Sequence, residues 1–509
     1  MRMEKVRQTI GFLLAVSFLS SSVQADILWS GTVSVPSDFT VPAGETLIVE
    51  PNTVVQVDPD VKIEIRGRIL AQGTAAGRIQ FRLTPGKSGK WIGIHLVDTP
   101  EDNLLTYVDV VDAESMEGSV GLDNSRLQIE YGTFSGSKRR LIYTIDSSLQ
   151  VRNCVFPDRF QPEEEPGSTD DNVVENIKGS GILPGGEMIV ENNLFGTNKG
   201  HNDLIDFSGP TQPGPILQVL HNVFLGGGDE CLDLGGDAYI EGNVFMHIHK
   251  DAYNTSTGQA NVISTGDDNV EGVITCVRNI FFDIDYVIDL KKDTYLYFIH
   301  NVVAKIPGDS ADPAREYCAI NFVIPDRFPP GKGAYLKNNI FWDIPRRIFG
   351  HVDEDMNGDP YETDLQMHYC LVPPARAGDT VASRPGTIMD LGEGNRAGDP
   401  LFVDPNNLDF HLRSQGGRWN SDRQSWVFDP VTSIAIDAGN PNDPIGAEPF
   451  PNGGVINPGA YGGTAEASKS YFGQPLCNTI IAGDINGDCI VNLKDFALLV
   501  HHWLENRLP

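Results

Sequence analysis

Basic residues are scarce in this chain: 38 Lys and Arg stand against 69 Asp and Glu in 509 residues, a formal net charge of −31. A field of that sign repels polyanions, which sets aside a nucleic-acid binder or a protein held on an anionic membrane. Long apolar runs are missing too. The run at 10–23 is short for a membrane span, and no later stretch approaches the ~20 apolar residues that a transmembrane helix needs. Helical periodicity is rare, and no Cys or His partners stand at zinc-ligand spacing. Cysteine is sparse and odd in number, seven in all, so at least one thiol is unpaired or bonds another chain. Against these absences stand 40% apolar residues and 24 Phe, enough to bury a large core and too many for a disordered chain.

Arg2, Lys5 and Arg7 precede the first apolar run, and Val23-Gln24-Ala25 closes it with small residues. This is the pattern of a secretory signal over residues 1–25, and it predicts a secreted protein, extracellular or at the cell surface, with no membrane span in the mature chain. Disulfides persist in that compartment.

A motif of the type apolar-x-Asn-x-Phe recurs along the middle of the chain, as VRNCVF, VENNLF, LHNVFL, EGNVFM, VRNIFF, IHNVVA and LKNNIF. Its asparagines fall at 153, 193, 222, 243, 279, 301 and 339, with two intervals of 21 and 22 residues and longer ones that carry Gly-, Pro- and Asp-rich inserts. Short β-branched runs between Gly and Asn turns at such a period predict a β-solenoid, in which each coil buries its apolar face only by stacking on the next. Asparagines at one position would then form an amide ladder. The stretches TVPAGETLIVEPNTVVQV and GKWIGIHL, and at the other end GDPLFVDPNNLDFHLRSQ and NPGAYGG, resemble the first and last coils of the right-handed parallel β-helix family of secreted, mostly carbohydrate-active proteins. That resemblance implies an all-β, right-handed parallel β-helix solenoid over residues 26–465. It carries no activity by itself, because the architecture hosts lyases, hydrolases, adhesins and inert surface proteins. No GHG, RIK or RxPxxR segment of its better-known enzymes is present.

Five segments superpose if the coils are registered on their repeats: NDLIDF, DECLDL, KDAYNT, DYVIDL and YCAINF. Ile205, Leu232, Tyr253, Ile288 and Ile320 then point inward, and Asp206, Asp233, Asn254, Asp289 and Asn321 form an outward column. Stacked carboxylates repel, which demands solvent, a cation or a raised pKa. Asp203, Asp229, Glu230, Asp237 and Asp251 add to the acidity, Lys250 takes the position of Asp229 one coil along, and Lys291 follows Asp289. Acids with an interposed lysine suit a calcium-assisted polysaccharide lyase, in which the metal neutralises a uronate carboxylate and an amine takes the proton α to it. Hydrolysis by a carboxylate pair is the rival chemistry, and a solvated ladder without chemistry is the plain alternative. The expected catalytic set is Asp206, Asp233, Asp289, Lys250 and Lys291, with Asp229 and Glu230 as metal ligands. The histidines at 201, 221, 247, 249 and 300 read as polar surface residues, and the acidic insert at 352–365 as a solvated turn.

After SYFGQP, a linker over 466–476, comes CNTIIAGDINGDCIVNLKDFALLVHHWLEN. Asp484, Asn486, Asp488, the carbonyl of Ile490, Asn492 and Asp495 occupy positions 1, 3, 5, 7, 9 and 12 of a calcium loop, and an amphipathic helix follows. The module at 477–509 resembles a dockerin repeat, which implies Ca2+ and a cohesin-like or cell-surface scaffold as partner. It departs from that pattern in having Cys489 where Gly is usual and in being a single copy. So small a module has little core of its own, and a Cys477–Cys489 bridge would help to hold it. Together these features predict a secreted carbohydrate-active protein that binds and cleaves an extracellular polysaccharide on an acidic face. The alternative is a non-catalytic adhesion or glycan-binding protein attached through the same tail.

Overall fold

The computed structural model describes residues 26–160, 174–254, 259–266, 271–306, 317–322, 329–344, 348–350, 363–374, 388–390, 392–473, 482–486 and 490–503. The secretory segment and the Cys477–Cys489 pair lie outside them, as do Asp488 and most of the 352–365 insert. The chain winds through three parallel ladders in turn. The first runs from Ile27–Trp29 to Ile388–Asp390 and the second, with 14 strands, from Thr32–Val35 to Arg396–Ala397. The third runs from Phe39–Val41 to Phe349–Gly350. Each strand pairs in parallel with the strand one coil before and after it, as in Thr46–Val49 with Arg68–Gln72 and Val54–Val57 with Ile79–Leu83.

Alternation makes this stacking cohesive. In Thr46–Val49, Val54–Val57 and Lys62–Ile65 every second residue is buried and its neighbour is not, so one face of each strand supplies the interior. The motif Phe stacks there coil upon coil: ring centroids lie 5.4 Å apart for Phe134–Phe156, 4.4 Å for Phe156–Phe195, 4.6 Å for Phe195–Phe224 and 4.7 Å for Phe224–Phe245.

The motif Asn makes the expected ladder. Each Nδ2 donates to the next Oδ1, at 2.9 Å from Asn193 to Asn222, 3.0 Å to Asn243, 2.9 Å to Asn279, 3.0 Å to Asn301 and 3.2 Å to Asn339. The residue before it turns the corner at positive φ, as do Asn192, His221 and Asn338. In the coil of VRNCVF it is Asn153 that makes this corner, with φ 54°, and Cys154 that takes the ladder position below Asn193. Cys370 takes the rung after Asn339, its sulfur 3.6 Å from the Asn339 amide, and Asn395 resumes the ladder, its Oδ1 accepting from the Cys370 N–H at 3.0 Å. Five thiols, Cys154, Cys231, Cys276, Cys318 and Cys370, are buried and joined in no disulfide, so among the described residues cysteine fills ladder and core positions.

The stretch expected to form the last coils does something else. Phe402–Asp404 pairs antiparallel with Asp409–Leu412, and Arg418–Asn420 with Ser425–Val427. Phe402, Phe410, Leu412, Ile436 and Ala460 pack on Met246, Ile280, Phe282, Val302 and Ile340, which leave the second ladder on its outer side. The segment after Ala397 thus covers the outside of that ladder instead of extending it. Beyond it stands one helix, Leu493–His502, capped by Asn492, whose Oδ1 accepts from the Lys494 N–H at 2.8 Å.

Candidate functional site

The third ladder sets one residue of each coil above the last. Glu64, His95, Gly121, Tyr143, Lys178, Asp206, Asp233, Ser264, Asp289 and Asn321 are consecutive register partners. Asp206, Asp233, Asp289 and Asn321 therefore stand in the expected column. Asn254 does not. Its place belongs to Ser264 of Asn261–Thr265, with Ile263 where Tyr253 was expected to point inward. KDAYNT matched only by the spacing of its polar residues, whereas NVIST carries the β-branched run that fits a pleated ladder. Tyr253 is exposed and edge-on to Phe160. Asn254 is buried and donates to the Gly228 carbonyl at 2.7 Å and to Asp229 Oδ1 at 2.8 Å.

The column is also more shielded than an outer face implies. Asp289 is buried, and Asp206 and Asp233 are half-buried. Asp203 and Asp229 are buried beside them. Oxygens of Asp203, Asp229 and Glu230 lie within 4.8 Å of one another, as do those of Asp203, Asp206 and Asp233. Burial first, then Glu230, Asp233, Asp229 and Asp206, pushes the Asp203 carboxyl well above the usual range. Burial and the adjacent Glu230 raise Asp229 to about 10. Asp233 rises to about 7 through burial, Glu230 and Asp206, against the opposing pull of Lys291 and Ser264.

Two ammonium groups bracket the cluster. Lys178 pairs with Asp206 and lies 3.5 Å from Glu175. Lys291 Nζ donates to Ser264 Oγ at 2.8 Å and lies 3.6 Å from Asp289 Oδ2. Burial opposes its charge, but Asp289, Glu230 and Asp233 outweigh burial and raise its pKa. Lys250 lies two residues beyond a bridge between Ile248 and Gly227, one coil along from Asp229, and its N–H donates to Asp285 Oδ2 at 2.9 Å. Asp251 and Asp237 serve the backbone: Asp251 accepts from the N–H groups of Gly200, Tyr253 and Asn254, and Asp237 from those of Gln212 and Val273.

Sequence reasoning did not single out Lys178, Ser264 or Asn261. Asn261 is buried, its Nδ2 lies 3.4 Å from Glu230 Oε1, and its Oδ1 has no hydrogen-bond donor. Three crowded carboxylates, with a donorless amide oxygen on the side chain that meets Glu230, are a donor set that fits a hard divalent cation such as Ca2+.

Of the histidines, His201 faces the acid cluster, with Nε2 3.3 Å from Asp229 Oδ2, and His247 and His249 face other carboxylates, with Nδ1 2.7 Å from Asp283 and 2.8 Å from Asp285. His300, expected at the surface, is buried, which drives its pKa down to about 3 with help from Arg278 and Lys337. In the C-terminal loop Asp495 Oδ1 accepts from the N–H groups of Ile485 at 2.8 Å and Asn486 at 3.1 Å, and Oδ2 from that of Asn492 at 2.7 Å.

No curated protein matches the chain. A family described as "Disaggregatase related" matches residues 386–439, a stretch from the last first-ladder strand through the antiparallel hairpins. Among solved structures, the chain is similar to the PL6 family polysaccharide lyase Pedsa3628 from Pseudopedobacter saltans, at 14% identity and a TM-score of 0.33, over 78% of this chain and 100% of that one. It is also similar to a PL6 alginate lyase in complex with a trisaccharide, at 9% identity and a TM-score of 0.32, over 88% and 97%. At that degree of overlap neither likeness bears on the reaction, which rests on the side chains of this chain.

Proposed function

We propose that the protein is a secreted polysaccharide-degrading lyase acting at the acid cluster of the third ladder. The observation that carries this reading is the crowding of Asp203, Asp206, Asp229, Glu230 and Asp233 beside the donorless Oδ1 of Asn261. One oxygen from each of Asp203, Asp229 and Glu230 lies within 4.8 Å of the others, close enough to share a cation, whereas an inverting pair stands roughly 6.5–9.5 Å apart. Asp203, Asp229, Glu230 and Asn261 would hold Ca2+, which supplies neutralisation of a uronate carboxylate when bound.

β-Elimination then needs a base for the proton α to that carboxylate and an acid for the departing glycosidic oxygen. Asp233, one coil along from Asp206 with an oxygen within 4.8 Å of Asp203, is the base. Lys291 stays charged in its acidic surroundings, so it serves as counter-charge and proton donor, not as the base that its sequence position suggested. Lys178, Asp206 and Asp289 orient the sugar, and Lys250 lies one coil from Asp229. A second reading rests on Asp233 and Asp289, two coils apart, about 9.6 Å at ladder spacing and close to the separation of an inverting hydrolase.

Incubation of the protein with uronate and neutral polysaccharides, with and without calcium, separates these readings. An unsaturated product absorbing in the ultraviolet marks a lyase, and new reducing ends without unsaturation mark the hydrolase. Glycan binding with no product from any substrate defeats the enzymatic reading and leaves the adhesion protein. Residues 1–25 direct export in this proposal, which predicts a secreted form beginning at Asp26, read by N-terminal sequencing. Asp484, Asn486, Asp488, Ile490, Asn492 and Asp495 hold a further Ca2+, and the tail attaches to a cohesin-like or surface scaffold. Calcium titration should order the helix at Leu493–His502, and an unchanged far-ultraviolet signal would defeat that assignment.

A further inference from the structure

The acid cluster occupies only the middle of its column. Toward the N-terminal end the same register runs Glu64, His95, Gly121 and Tyr143. There it borders a cleft of about 410 Å³, inside the range of roughly 300–1,000 Å³ typical of small-molecule sites. Gly121 lies on its wall, where the Glu117 carbonyl and the His95 ring already take up the space of a side chain. It is the one column residue between His95 and Tyr143, and a Cβ there would lie 2.6 Å from the Glu117 carbonyl and 3.0 Å from the His95 ring.

The lining is unlike the acid cluster in its charge. Lys62 and Arg66 both pair with Glu64, at 2.7 Å and 2.5 Å, so neither is a lone cation aimed at an anion. Glu117 stands at the rim, 3.3 Å from His95 Nδ1, and His95 itself is buried with Nε2 3.1 Å from the Gly118 carbonyl. Tyr143 offers a half-buried ring, with the Arg140 guanidinium 5.3 Å from its centroid. Interleaved donors and acceptors beside an aromatic face match vicinal hydroxyls and the apolar C–H face of a pyranose.

We infer that the cleft between His95 and Tyr143 is a distal subsite for the same polysaccharide that the acid cluster cleaves, gripping sugar hydroxyls away from the reacting linkage. This rests on the function proposed above. The geometry that links the two is the ladder itself. From Gly121 the column passes through Tyr143 and Lys178 to Asp206, three coils or about 14 Å at ladder spacing, with no change of strand register. A sugar residue in an extended chain is about as long as a coil is tall, so a polymer lying along the column spans the gap with about three residues. Binding there supplies affinity from parts of the substrate that do not react, and it makes the protein favour long chains.

The test is affinity against chain length, measured calorimetrically on the full chain with oligomers of alginate, polygalacturonate and xylan graded by size. The affinity of the unaltered protein for its substrate should step up by about tenfold once the oligomer reaches from the acid cluster to the cleft. Tyr143→Ala and Arg66→Ala should each flatten that step, with unchanged thermal midpoints showing that the fold is intact. If both variants keep the step while Asp203→Asn loses binding, the subsite falls and the function at the cluster stands. If no oligomer of any length binds the unaltered protein, the proposed function falls and the subsite with it.

Discussion

The amide ladder from Asn193 to Asn339 and the acid column from Asp206 to Asp289 are built by the same coils at the same spacing, yet they put opposite demands on the fold. An amide is both donor and acceptor, so each Asn satisfies its neighbour and is satisfied by the next, and repetition in a dry interior costs nothing further. An ionised carboxylate only accepts. Where Asp206 and Asp233 stand one coil apart, lone pairs face lone pairs, and burial together with Glu230 and Asp206 raises the Asp233 carboxyl to about 7. A residue complementary to itself becomes a spine when a solenoid repeats it. One that is not becomes a place where something else must bind.

The sharpest way to break that contrast is to make the spine resemble the column. Asn279→Asp puts an acceptor between Asn243 and Asn301 and opposite the Ile240 carbonyl, where the native amide donates at 2.8 Å. A buried charge whose second oxygen faces the Ile240 carbonyl and Asn301 Oδ1 should cost about 3 kcal/mol or more, read as a lower denaturation midpoint at neutral pH. The reverse exchange should have the opposite sign. Asp203→Asn removes a carboxyl that must be neutralised on folding, so in chelator the protein should gain roughly 1–4 kcal/mol at pH 7. The same variant should lose the rise in thermal midpoint that calcium gives the unaltered chain. A drop in stability from Asp203→Asn would mean that the cluster is satisfied without a cation.

The spine was legible in the sequence because a ladder needs one residue type at one place in every coil, and that leaves a period. The column was legible only where coils are short. Asp206, Asp233 and Asp289 could be aligned from DLIDF, CLDL and VIDL, but Ser264 was hidden because the chain between Ile248 and Asn261 offers a competing match at KDAYNT. Lys178 was hidden by the insert at 161–173, which breaks the period just before it. Asn261 carries no signal of its own, since its importance lies in an oxygen left without a donor. The last coils misled for a physical reason: PNN between Asp404 and Asp409 is a 3-10 turn joining two short strands, and a tight turn makes an antiparallel pair where a solenoid corner would not.

pH separates the two columns more gently. Asp233 has a folded pKa of about 7 and Asp229 of about 10, both above the 3.8 of the free side chain. Below the unfolded value both states hold these protons and the native state keeps its full stability. Above it, the unfolded chain has released protons that the folded chain still holds, so stability falls as pH rises toward and through the folded values. In chelator, the thermal midpoint should therefore decline between pH 4 and 7, and Asp233→Asn should make that decline shallower. Saturating calcium should do the same by favouring the ionised cluster. The amide ladder contributes nothing to this slope, and a decline equally steep in Asp233→Asn would place its origin elsewhere.

The smallest expected effect is at the thiol rung of the spine, between Asn339 and Asn395. Cys370 stands one rung above Asn339, with its sulfur 3.6 Å from the Asn339 amide and its own N–H donating to Asn395 Oδ1 at 3.0 Å. A thiol is a weak acceptor, so this rung holds the poorest bond of the ladder. Cys370→Asn supplies an Oδ1 for Asn339 and an amide that continues the repeat, and the midpoint should shift by no more than about 1 kcal/mol, toward stability. Cys370→Asp has nearly the same shape but only accepts. It satisfies Asn339 as well as Asn does and offers nothing to the coil above, so it should fall below both the native protein and Cys370→Asn. Equal midpoints for the two variants would mean that shape, and not the pairing of donor with acceptor, holds the spine together.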